Sequence, residues 1–334
     1  MSSQRGPLAR GERAPDFALP RGDTGRARFY GHVGGRPALL VLTGDGSRGE
    51  PGPLVRELRE RGGTAEVHVV AGPGVELPGA FEDAEGQLHE AYGVAPAGGP
   101  WVFVLDANVR VAGVVQDAEP ALAAAAARAL LDDLADPGPV TIAARHAPVL
   151  LIPDVLDESL CDELIERCAT HGTYETGVET GGEGGRVEEA DVRRKRRLDH
   201  TVEDPELLRR LTSEVGRRVM PELAKAFAYR ATRFEGFKIG CYPEDRQGFF
   251  EAHRDNLSAS TAHRRFALSL NLNDGYEGGE LRFPEYGPAL YRPSRGEALV
   301  FSGSHLHEVL PVTRGERYVL VSFLYGEEAV RRSR

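Results

Sequence analysis

Two side chains able to bind a metal ion stand two positions apart in the stretch FFEAHRDN, residues 249–256. Alternate residues of a β-strand point to the same face, so the imidazole of His253 and the carboxylate of Asp255 converge while Arg254 points away. This arrangement suits two ligands of one metal ion, and it equally suits a surface salt bridge. The H-x-D pattern alone therefore leaves both interpretations open.

A further histidine lies in the stretch SGSHLHEVLPVTRGERYVL, residues 302–320. His307 stands where the chain returns into a strand, and it would add a second imidazole to His253 and Asp255. Two imidazoles and one carboxylate suit iron(II) and leave coordination positions open on one side of the metal. Arg317 begins the last apolar strand, where a buried guanidinium needs an anion and matches a carboxylate in shape.

These residues lie in a region of short strands that begins after position 232. The segments FEGFKIGCY, FFEAH, RFALSLNLN, GELRF, EALVFSG and RYVLVSFLY are separated by turn residues, which is typical of a sandwich or barrel. Two helices are predicted before them, over 156–172 with Asp157 as the N-cap and over 205–227. The segment 177–189 between the helices is rich in glycine and charge, and we interpret it as a mobile loop.

The first 140 residues have a different pattern, in which apolar runs alternate with helical segments. This order predicts a small α/β domain, and the prolines and glycine in 136–150 mark its boundary. The predicted strands are ALLVLTG (38–44) and AEVHVVAG (65–72), the predicted helices are PLVRELRERGG (53–63), QLHEAYGV (87–94) and ALAAAAARALLDDLAD (121–136), and PWVFVLDANVRVAGVVQ (100–116) is a predicted hairpin.

Charge and composition restrict the expected partners and location. The formal net charge is −10, without the basic face of a nucleic-acid binder. The basic run VRRKRRLDH at 192–200 lies among acidic neighbours, which favours a solvated face or a clamp on an anionic ligand. No segment is long and apolar enough for a membrane span or a signal peptide. Three cysteines, Cys161, Cys168 and Cys241, indicate a reducing compartment, and we predict the cytoplasm.

Five elements together resemble the iron(II)- and 2-oxoglutarate-dependent dioxygenases of the prolyl 4-hydroxylase-like type. The resemblance covers residues 150–328 and implies a dioxygenase domain over 148–334. The implied fold is a double-stranded β-helix, or jelly roll, with a core over 232–326 and supporting helices. The five elements are H-x-D at 253–255, LNLND at 270–274, EGGELRFPEYG at 277–287, RGEALVF at 295–301 and LHEVLPVTRGERY at 306–318, in the order and spacing of the family.

The resemblance implies that His253, Asp255 and His307 are the iron ligands and form the catalytic centre. His305 competes with His307 for the third position. The sequence around His307, L-H-E-V-x-P-V, and its distance from Arg317 both favour His307 over His305.

The resemblance also implies a binding site for the cosubstrate 2-oxoglutarate. Arg317 would pair with the far carboxylate of 2-oxoglutarate, the hydroxyl of Tyr242 would hydrogen-bond to the cosubstrate, and Asn271 would line the same pocket. With iron(II), 2-oxoglutarate and dioxygen bound, and ascorbate as an additional reductant, the expected reaction is hydroxylation of a C–H bond with release of succinate and carbon dioxide.

The substrate is expected to be a prolyl or other amino-acid side chain in a peptide or protein, or a small molecule. No residue in the sequence chooses between these substrates. The alternative function is a non-catalytic jelly roll that binds a metal ion or an anion and acts as an interaction or sensor protein. Neither nucleic acid nor a membrane is an expected partner.

The first domain, residues 1–140, resembles the thioredoxin-fold peroxiredoxins. GERAPDFALP at 11–20 is similar to their opening segment, and GGPWVFVLD at 98–106 is similar to their proline-led strand, so Pro100 is expected to be cis. The loop that matches the peroxidatic loop, DGSRGEPG at 45–52, contains no cysteine. Because a thiolate is the required nucleophile, this domain is predicted to be non-catalytic in peroxide reduction and to support a homodimer.

Overall fold

The computed structural model describes residues 6–22, 25–44, 51–116, 118–135, 138–140, 142, 145–175, 178–182, 185–189 and 193–328. The chain divides into two compact units, Met1–Pro139 and Val140–Arg334. In the described part of the chain, every helix is too short or too polar to cross a membrane.

The elements of the first unit are β1 (Ala18–Pro20), β2 (Arg26–Arg28), α1 (Tyr30–Val33), β3 (Ala38–Leu42), α2 (Gly52–Arg61), β4 (Glu66–Ala71), β5 (Phe81–Glu82), α3 (Gln87–Ala91), β6 (Trp101–Leu105), β7 (Val111–Gln116) and α4 (Pro120–Asp132). Five of the strands form a mixed sheet in the order β5-β4-β3-β6-β7. The pairs β3–β4 and β4–β5 are parallel, and the pairs β3–β6 and β6–β7 are antiparallel.

Strand β3 lies at the centre of this sheet, and all five of its residues are buried. Hydrophobic clusters cover both faces of the sheet, which explains why the sequence of β3 is a continuous apolar run rather than an alternating one. The predicted hairpin is confirmed as β6 and β7. The peptide bond before Pro100 is trans, so the expectation of a cis proline is wrong. Assignment of the unit to the thioredoxin fold stays a prediction.

The elements of the second unit are β8 (Leu150–Ile152), α5 (Glu158–His171), β9 (Tyr174–Glu175), β10 (Val178–Gly182), β11 (Gly185–Glu189), β12 (Leu198–Thr201), α6 (Pro205–Phe227), β13 (Arg233–Phe234), β14 (Lys238–Pro243), a 3-10 turn (Glu244–Arg246), β15 (Phe250–His253), β16 (Phe266–Asn271), β17 (Glu277–Gly278), β18 (Leu281–Arg282), β19 (Leu290–Tyr291), β20 (Ala298–Ser302), β21 (His307–Val309), β22 (Val312–Arg314) and β23 (Glu316–Tyr325). The unit is built on an eight-stranded antiparallel sheet in the order β8-β20-β16-β23-β14-β12-β9, with β13 paired to β23. A smaller sheet has the order β15-β21-β18-β19.

The large sheet buries both of its faces. On one face, alternate residues of β14, β16, β20 and β23 pack with apolar residues of α5 and α6. The opposite residues of the same strands face the small sheet, as expected of a jelly roll, and pack with residues of β18, β21, β22 and nearby segments. Together they form what we call the luminal cluster: Ala147, Tyr242, Ala267, Leu281, Phe283, Leu299, Phe301, Val309, Val312 and Val319. The candidate site lies among the residues of this cluster.

The two helices begin where the sequence predicts them, and each has an aspartate at its N-cap. The carboxylate of Asp157 accepts a hydrogen bond from the backbone N–H of Leu160 at 2.8 Å, and that of Asp204 accepts from Leu207 at 2.7 Å. The interpretation of 177–189 as a loop is wrong, because β10 and β11 pair as an antiparallel hairpin there. A regular ladder satisfies the backbone groups of this glycine-rich segment, which the composition alone did not indicate.

Candidate metal centre and cosubstrate pocket

The small sheet brings two of the predicted metal ligands together. Strand β15 pairs with β21 in an antiparallel register that sets His253 directly opposite His307. Their ring centroids lie 4.3 Å apart. Residues that face each other across two strands have neighbouring side chains, so the pairing places both imidazoles on the same face.

Asp255 completes the group just beyond the end of β15. Its backbone N–H donates to the carbonyl of Gly303 at 2.9 Å, which fixes the chain after the strand. One carboxylate oxygen lies 3.5 Å from Nε2 of His253, and the other lies 3.7 Å from Nε2 of His307. Among the described residues, these three form the only cluster of metal-ligand type, with their donor atoms all within 4.8 Å of one another.

Both imidazoles have the tautomer that metal binding requires. Nδ1 of His253 donates to the carbonyl of Glu251 at 2.8 Å, and Nδ1 of His307 donates to the carbonyl of His305 at 3.0 Å. A carbonyl only accepts, so the ring proton is on Nδ1 and the lone pair of Nε2 faces Asp255. The buried Oδ2 of Asp255 has no hydrogen-bond partner in the structure.

The protonation states also suit a cation. Burial lowers the pKa of His307 to about 4, so its imidazole is neutral at pH 7. Burial raises the pKa of Asp255, but the neighbouring His307 and His253 outweigh burial, and the pKa of Asp255 is lowered. One carboxylate with a buried, unpaired oxygen, beside the Nε2 atoms of two imidazoles, is a site that a divalent cation would satisfy.

Arg317 is almost completely buried, with 1% of its surface exposed. Its Nε and Nη2 donate to the side-chain oxygen of Asn271 at 3.2 and 2.9 Å, and Nη2 lies 3.4 Å from the hydroxyl of Ser269. Its Nη1 is buried and has no hydrogen-bond partner. All of these partners are neutral, so a buried positive charge with a free donor remains for an anion.

Tyr242 and Asn271 surround this guanidinium. Tyr242 is paired with Arg317 across β14 and β23, and its ring centroid lies 5.5 Å from the guanidinium carbon. Asn271 is fully buried, and its amide nitrogen donates to the carbonyl of Pro293 at 2.6 Å and to the hydroxyl of Tyr276 at 2.5 Å. This orientation leaves the side-chain oxygen of Asn271 to accept from Arg317. The structure therefore places Asn271 as a support of Arg317.

Several other candidate residues lie elsewhere. His305 is not part of the metal-ligand group, and its ring packs 5.2 Å from that of Tyr286. His263 lies 2.8 Å from a carboxylate oxygen of Glu235, and His200 lies 3.1 Å from the carbonyl of Gly172. These two histidines therefore have structural partners.

One part of the site was not predicted. Arg197 and Asp199 form a two-pronged ion pair, with distances of 2.5 and 3.0 Å, and Nη1 of Arg197 lies 3.3 Å from the hydroxyl of Tyr242. Lys195 also contacts Asp199, at 3.2 Å, and is 8% exposed. The basic run is predicted to be a solvated face or a clamp on an anionic ligand, and Lys195, Arg197 and Asp199 alternate there with period two. That alternation is the signal of a strand face that could have revealed them.

Residues 237–325 match the model of the 2OG-Fe(II) oxygenase superfamily. The second unit therefore carries a 2OG-Fe(II) oxygenase domain, as the sequence resemblance predicts. The description of the family specifies iron(II) and 2-oxoglutarate, the metal and cosubstrate that the sequence also predicts.

Two curated relatives match about half of the chain. Procollagen-lysine,2-oxoglutarate 5-dioxygenase 1 of Gallus gallus is 30% identical over 179 residues, 51% of this chain and 23% of the relative. Multifunctional procollagen lysine hydroxylase and glycosyltransferase LH3 of Rattus norvegicus is 31% identical over 186 residues, 52% of this chain and 23% of the relative. The chain thus spans less than a quarter of these relatives.

Solved structures of hydroxylases also resemble the chain. A prolyl hydroxylase from Trichoplax adhaerens, in complex with a peptide fragment of the hypoxia inducible factor oxygen degradation domain, has a TM-score of 0.45 and 17% identity. The match covers 56% of this chain and 87% of that chain. A prolyl-4-hydroxylase from Pseudomonas putida has a TM-score of 0.39 and 18% identity, covering 54% of this chain and 92% of that chain.

Proposed function

We propose that the protein is an iron(II)- and 2-oxoglutarate-dependent dioxygenase that hydroxylates a C–H bond of an amino-acid side chain in a peptide or protein. One observation carries the proposal. Three metal-ligating side chains converge with their donor atoms free, and a buried arginine with an unpaired Nη1 lies in the same jelly roll. A structural role would satisfy these atoms within the protein.

Each residue of the site has a defined task in this proposal. His253, Asp255 and His307 hold the iron, and their hydrogen bonds to backbone carbonyls keep the ligand atoms directed at it. Arg317 binds the far carboxylate of 2-oxoglutarate through its free Nη1, while Asn271 fixes the guanidinium plane. When bound, iron(II) and 2-oxoglutarate supply the chemistry, in which dioxygen oxidises a substrate C–H bond and 2-oxoglutarate yields succinate and carbon dioxide.

Aromatic side chains exclude water from the metal centre. The ring of Phe250 stacks on that of His253 with a centroid distance of 3.6 Å and an interplanar angle of 21°. The ring of Phe301 lies 4.6 Å from that of His307. An apolar wall limits the access of water to a reactive oxidant and strengthens electrostatic interactions inside the site.

The proposed substrate is a peptide or protein rather than a free small molecule. The support for this choice is that the curated relatives are named as a procollagen-lysine dioxygenase and a procollagen lysine hydroxylase. Lysyl and prolyl side chains are therefore the first to test, the latter because of the sequence resemblance to the prolyl 4-hydroxylase-like type.

The experiment is incubation with iron(II), 2-oxoglutarate, dioxygen and separate lysine-containing and proline-containing peptide pools. We expect succinate formation that depends on one pool, together with a mass gain of one oxygen in a peptide of that pool. The His307→Ala variant is the matched control and should form no succinate above background. Binding of iron(II) and 2-oxoglutarate with no succinate formed, either in the pools or with free amino acids, would favour the non-catalytic function instead.

We also propose that the first unit has the thioredoxin fold and is a non-catalytic homodimerisation domain. The proposed location of the protein is the cytoplasm. The support is its mixed five-stranded sheet with helices in the order of the resemblance, and the absence of cysteine from residues 1–140. Sedimentation of the full chain and of the chain lacking residues 1–140 tests the dimer. Peroxide consumption by the full chain would contradict the non-catalytic assignment.

A further inference from the structure

Three residues form a row across the luminal face of the large sheet. Strand β12 pairs Leu198 with Cys241, so the same antiparallel register, continued by one residue, sets Arg197 beside Tyr242. Strand β14 pairs Tyr242 with Arg317. The guanidinium carbons of Arg197 and Arg317 lie 5.7 and 5.5 Å from the ring centroid of Tyr242. Tyr242 is therefore flanked by two arginines, of which Arg317 has a buried nitrogen without a hydrogen-bond partner.

Arg197 is held rigidly in this row. Asp199, fully buried, accepts from its Nε and Nη2. Gly240 provides the space, because a Cβ at this position would lie 2.8 Å from Cδ of Arg197. An exposed arginine on a flexible stem would lose side-chain entropy on forming such contacts, but a guanidinium fixed by a two-pronged carboxylate has already lost it.

The contact between Arg197 and Tyr242 has only one possible direction. A guanidinium has donors and no acceptor, so Nη1 of Arg197 donates to the hydroxyl oxygen of Tyr242. The hydroxyl proton of Tyr242 must then point to a different acceptor. The unpaired Nη1 of Arg317 marks where an anionic acceptor would lie, on the other side of Tyr242.

We propose that Arg197 is a positioning residue for 2-oxoglutarate, which directs the hydroxyl proton of Tyr242 toward the far carboxylate held by Arg317. This inference rests on the proposed function. It extends the cosubstrate pocket to Arg197 and Asp199, which act through Tyr242 and do not themselves contact the ligand. Arg197 would otherwise serve only to neutralise Asp199, and its removal would then weaken the fold without any specific effect on Tyr242.

A double-mutant cycle separates these two roles. The affinity of the iron(II)-loaded protein for 2-oxoglutarate is measured without oxygen, from the visible charge-transfer band, for the wild type, Arg197→Met, Tyr242→Phe and the double variant. A hydrogen bond to a charged group is involved, so Arg197→Met should raise the Kd about tenfold in the wild-type chain. In the Tyr242→Phe chain, which lacks the hydroxyl, the same substitution should change the Kd by less than about twofold.

Arg196 provides the matched control, because it belongs to the same basic run and is exposed. Its ring contact is with Phe249, at 5.4 Å, and not with Tyr242. Arg196→Met removes the same charge and should leave the Kd for 2-oxoglutarate unchanged. If Arg197→Met does not fold, the same cycle is measured with Arg197→Lys, which keeps a positive charge beside Asp199. Arg197→Lys should lose less affinity for 2-oxoglutarate, and this loss should again disappear in the Tyr242→Phe chain.

Equal losses of affinity from Arg197→Met in the wild-type and Tyr242→Phe chains would overturn the inference, as would an unchanged Kd in the wild-type chain. The wild-type chain could instead bind iron(II) and show no saturable charge-transfer band with 2-oxoglutarate. In that case the proposed function itself is wrong, and the assignment of Arg197 falls with it.

Discussion

Both units of the chain bury a histidine beside an aspartate, but the two pairs differ in what their polar atoms contact. In the first unit, Nδ1 of His89 lies 2.7 Å from the carboxylate of Asp83, and Nε2 lies 2.7 Å from the carbonyl of Thr43. The same carboxylate oxygen accepts from two backbone N–H groups at the start of α3. In the second unit, the Nε2 atoms of His253 and His307 face the carboxylate of Asp255, and Oδ2 of this carboxylate has no hydrogen-bond partner.

Two buried arginines repeat the contrast. Arg110 in the first unit is 2% exposed and donates through Nε and Nη2 to the carbonyl of Gly11, at 3.0 and 2.6 Å. Arg317 in the second unit has one nitrogen without a partner. Burial of charged and polar residues therefore does not distinguish a structural network from a functional site. A functional site is distinguished by several converging polar groups that lack hydrogen-bond partners, because a buried unpaired polar group costs free energy unless a ligand binds it.

His68 shows that convergence is needed as well as incomplete satisfaction. Both of its ring nitrogens are buried without a hydrogen-bond partner, and burial lowers its pKa. Its ring packs edge-on against Phe29 at 5.7 Å, and its Nε2 lies 3.4 Å from a carboxylate oxygen of Glu66. Among the described residues, no group of three metal-ligating side chains includes it. A single unsatisfied histidine beside an aromatic ring therefore does not define a site.

The largest expected effect is on metal binding. His307→Ala should weaken the binding of iron(II) by at least about 100-fold, because it removes a direct ligand and leaves Asp255 with only one imidazole. His305→Ala is the matched control and should retain binding. Calorimetric titration with iron(II) under nitrogen measures both variants, and loss of binding in His305→Ala alone would show that the wrong histidine is assigned.

The next effect concerns the two arginines. Arg317→Ala should cost about 2–5 kcal/mol of 2-oxoglutarate binding, because it removes the buried partner of a carboxylate. Arg110→Ala should lower the thermal stability of the protein and leave the affinity for 2-oxoglutarate unchanged. An unaltered affinity in Arg317→Ala would remove this residue from the cosubstrate pocket.

The histidine pair of the first unit should affect stability alone. His89→Leu removes two buried hydrogen bonds and leaves the carbonyl of Thr43 without a partner, so the free energy of unfolding should fall by about 1–3 kcal/mol. Iron(II) affinity should stay at the wild-type value. Chemical denaturation and metal titration of the same preparation test both statements, and a loss of metal affinity would erase the contrast between the two histidine sites.

The smallest effect is a pH dependence from Lys195. Burial, with the charge of Arg197, lowers its pKa to about 7 although Asp199 raises it. The ordinary pKa of lysine is about 10.4, so between pH 7 and 10 the unfolded chain binds more protons than the folded chain. The free energy of unfolding should therefore rise with pH in this window, by up to about 1.4 kcal/mol per pH unit from this residue.

The measurement is a comparison of unfolding curves at several pH values between 7 and 9. Lys195→Met should lose this contribution to the slope. Lys225→Met changes an exposed lysine of α6 and should keep the wild-type slope. Identical slopes in the wild type and in Lys195→Met would show that Lys195 keeps its ordinary pKa.

Much of the fold was predictable because it follows from local patterns. The hairpin of β6 and β7, and the helix starts at Asp157 and Asp204, depend on contacts between residues a few positions apart. The hairpin of β10 and β11 was missed, because its sequence is rich in glycine and charge and lacks the apolar run that marks β6 and β7. The trans bond before Pro100 likewise has no local signal in the sequence.

The amino-acid sequence by itself determined which side chains are able to bind iron and a dicarboxylate, because the alternation of His253 and Asp255 and the motif around His307 are local. Only the tertiary structure decided that His253 lies opposite His307, that Asn271 and not an acid supports Arg317, and that Arg197 contacts Tyr242. These contacts join strands far apart in the chain, and their register is set by the packing of two whole sheets around the luminal cluster.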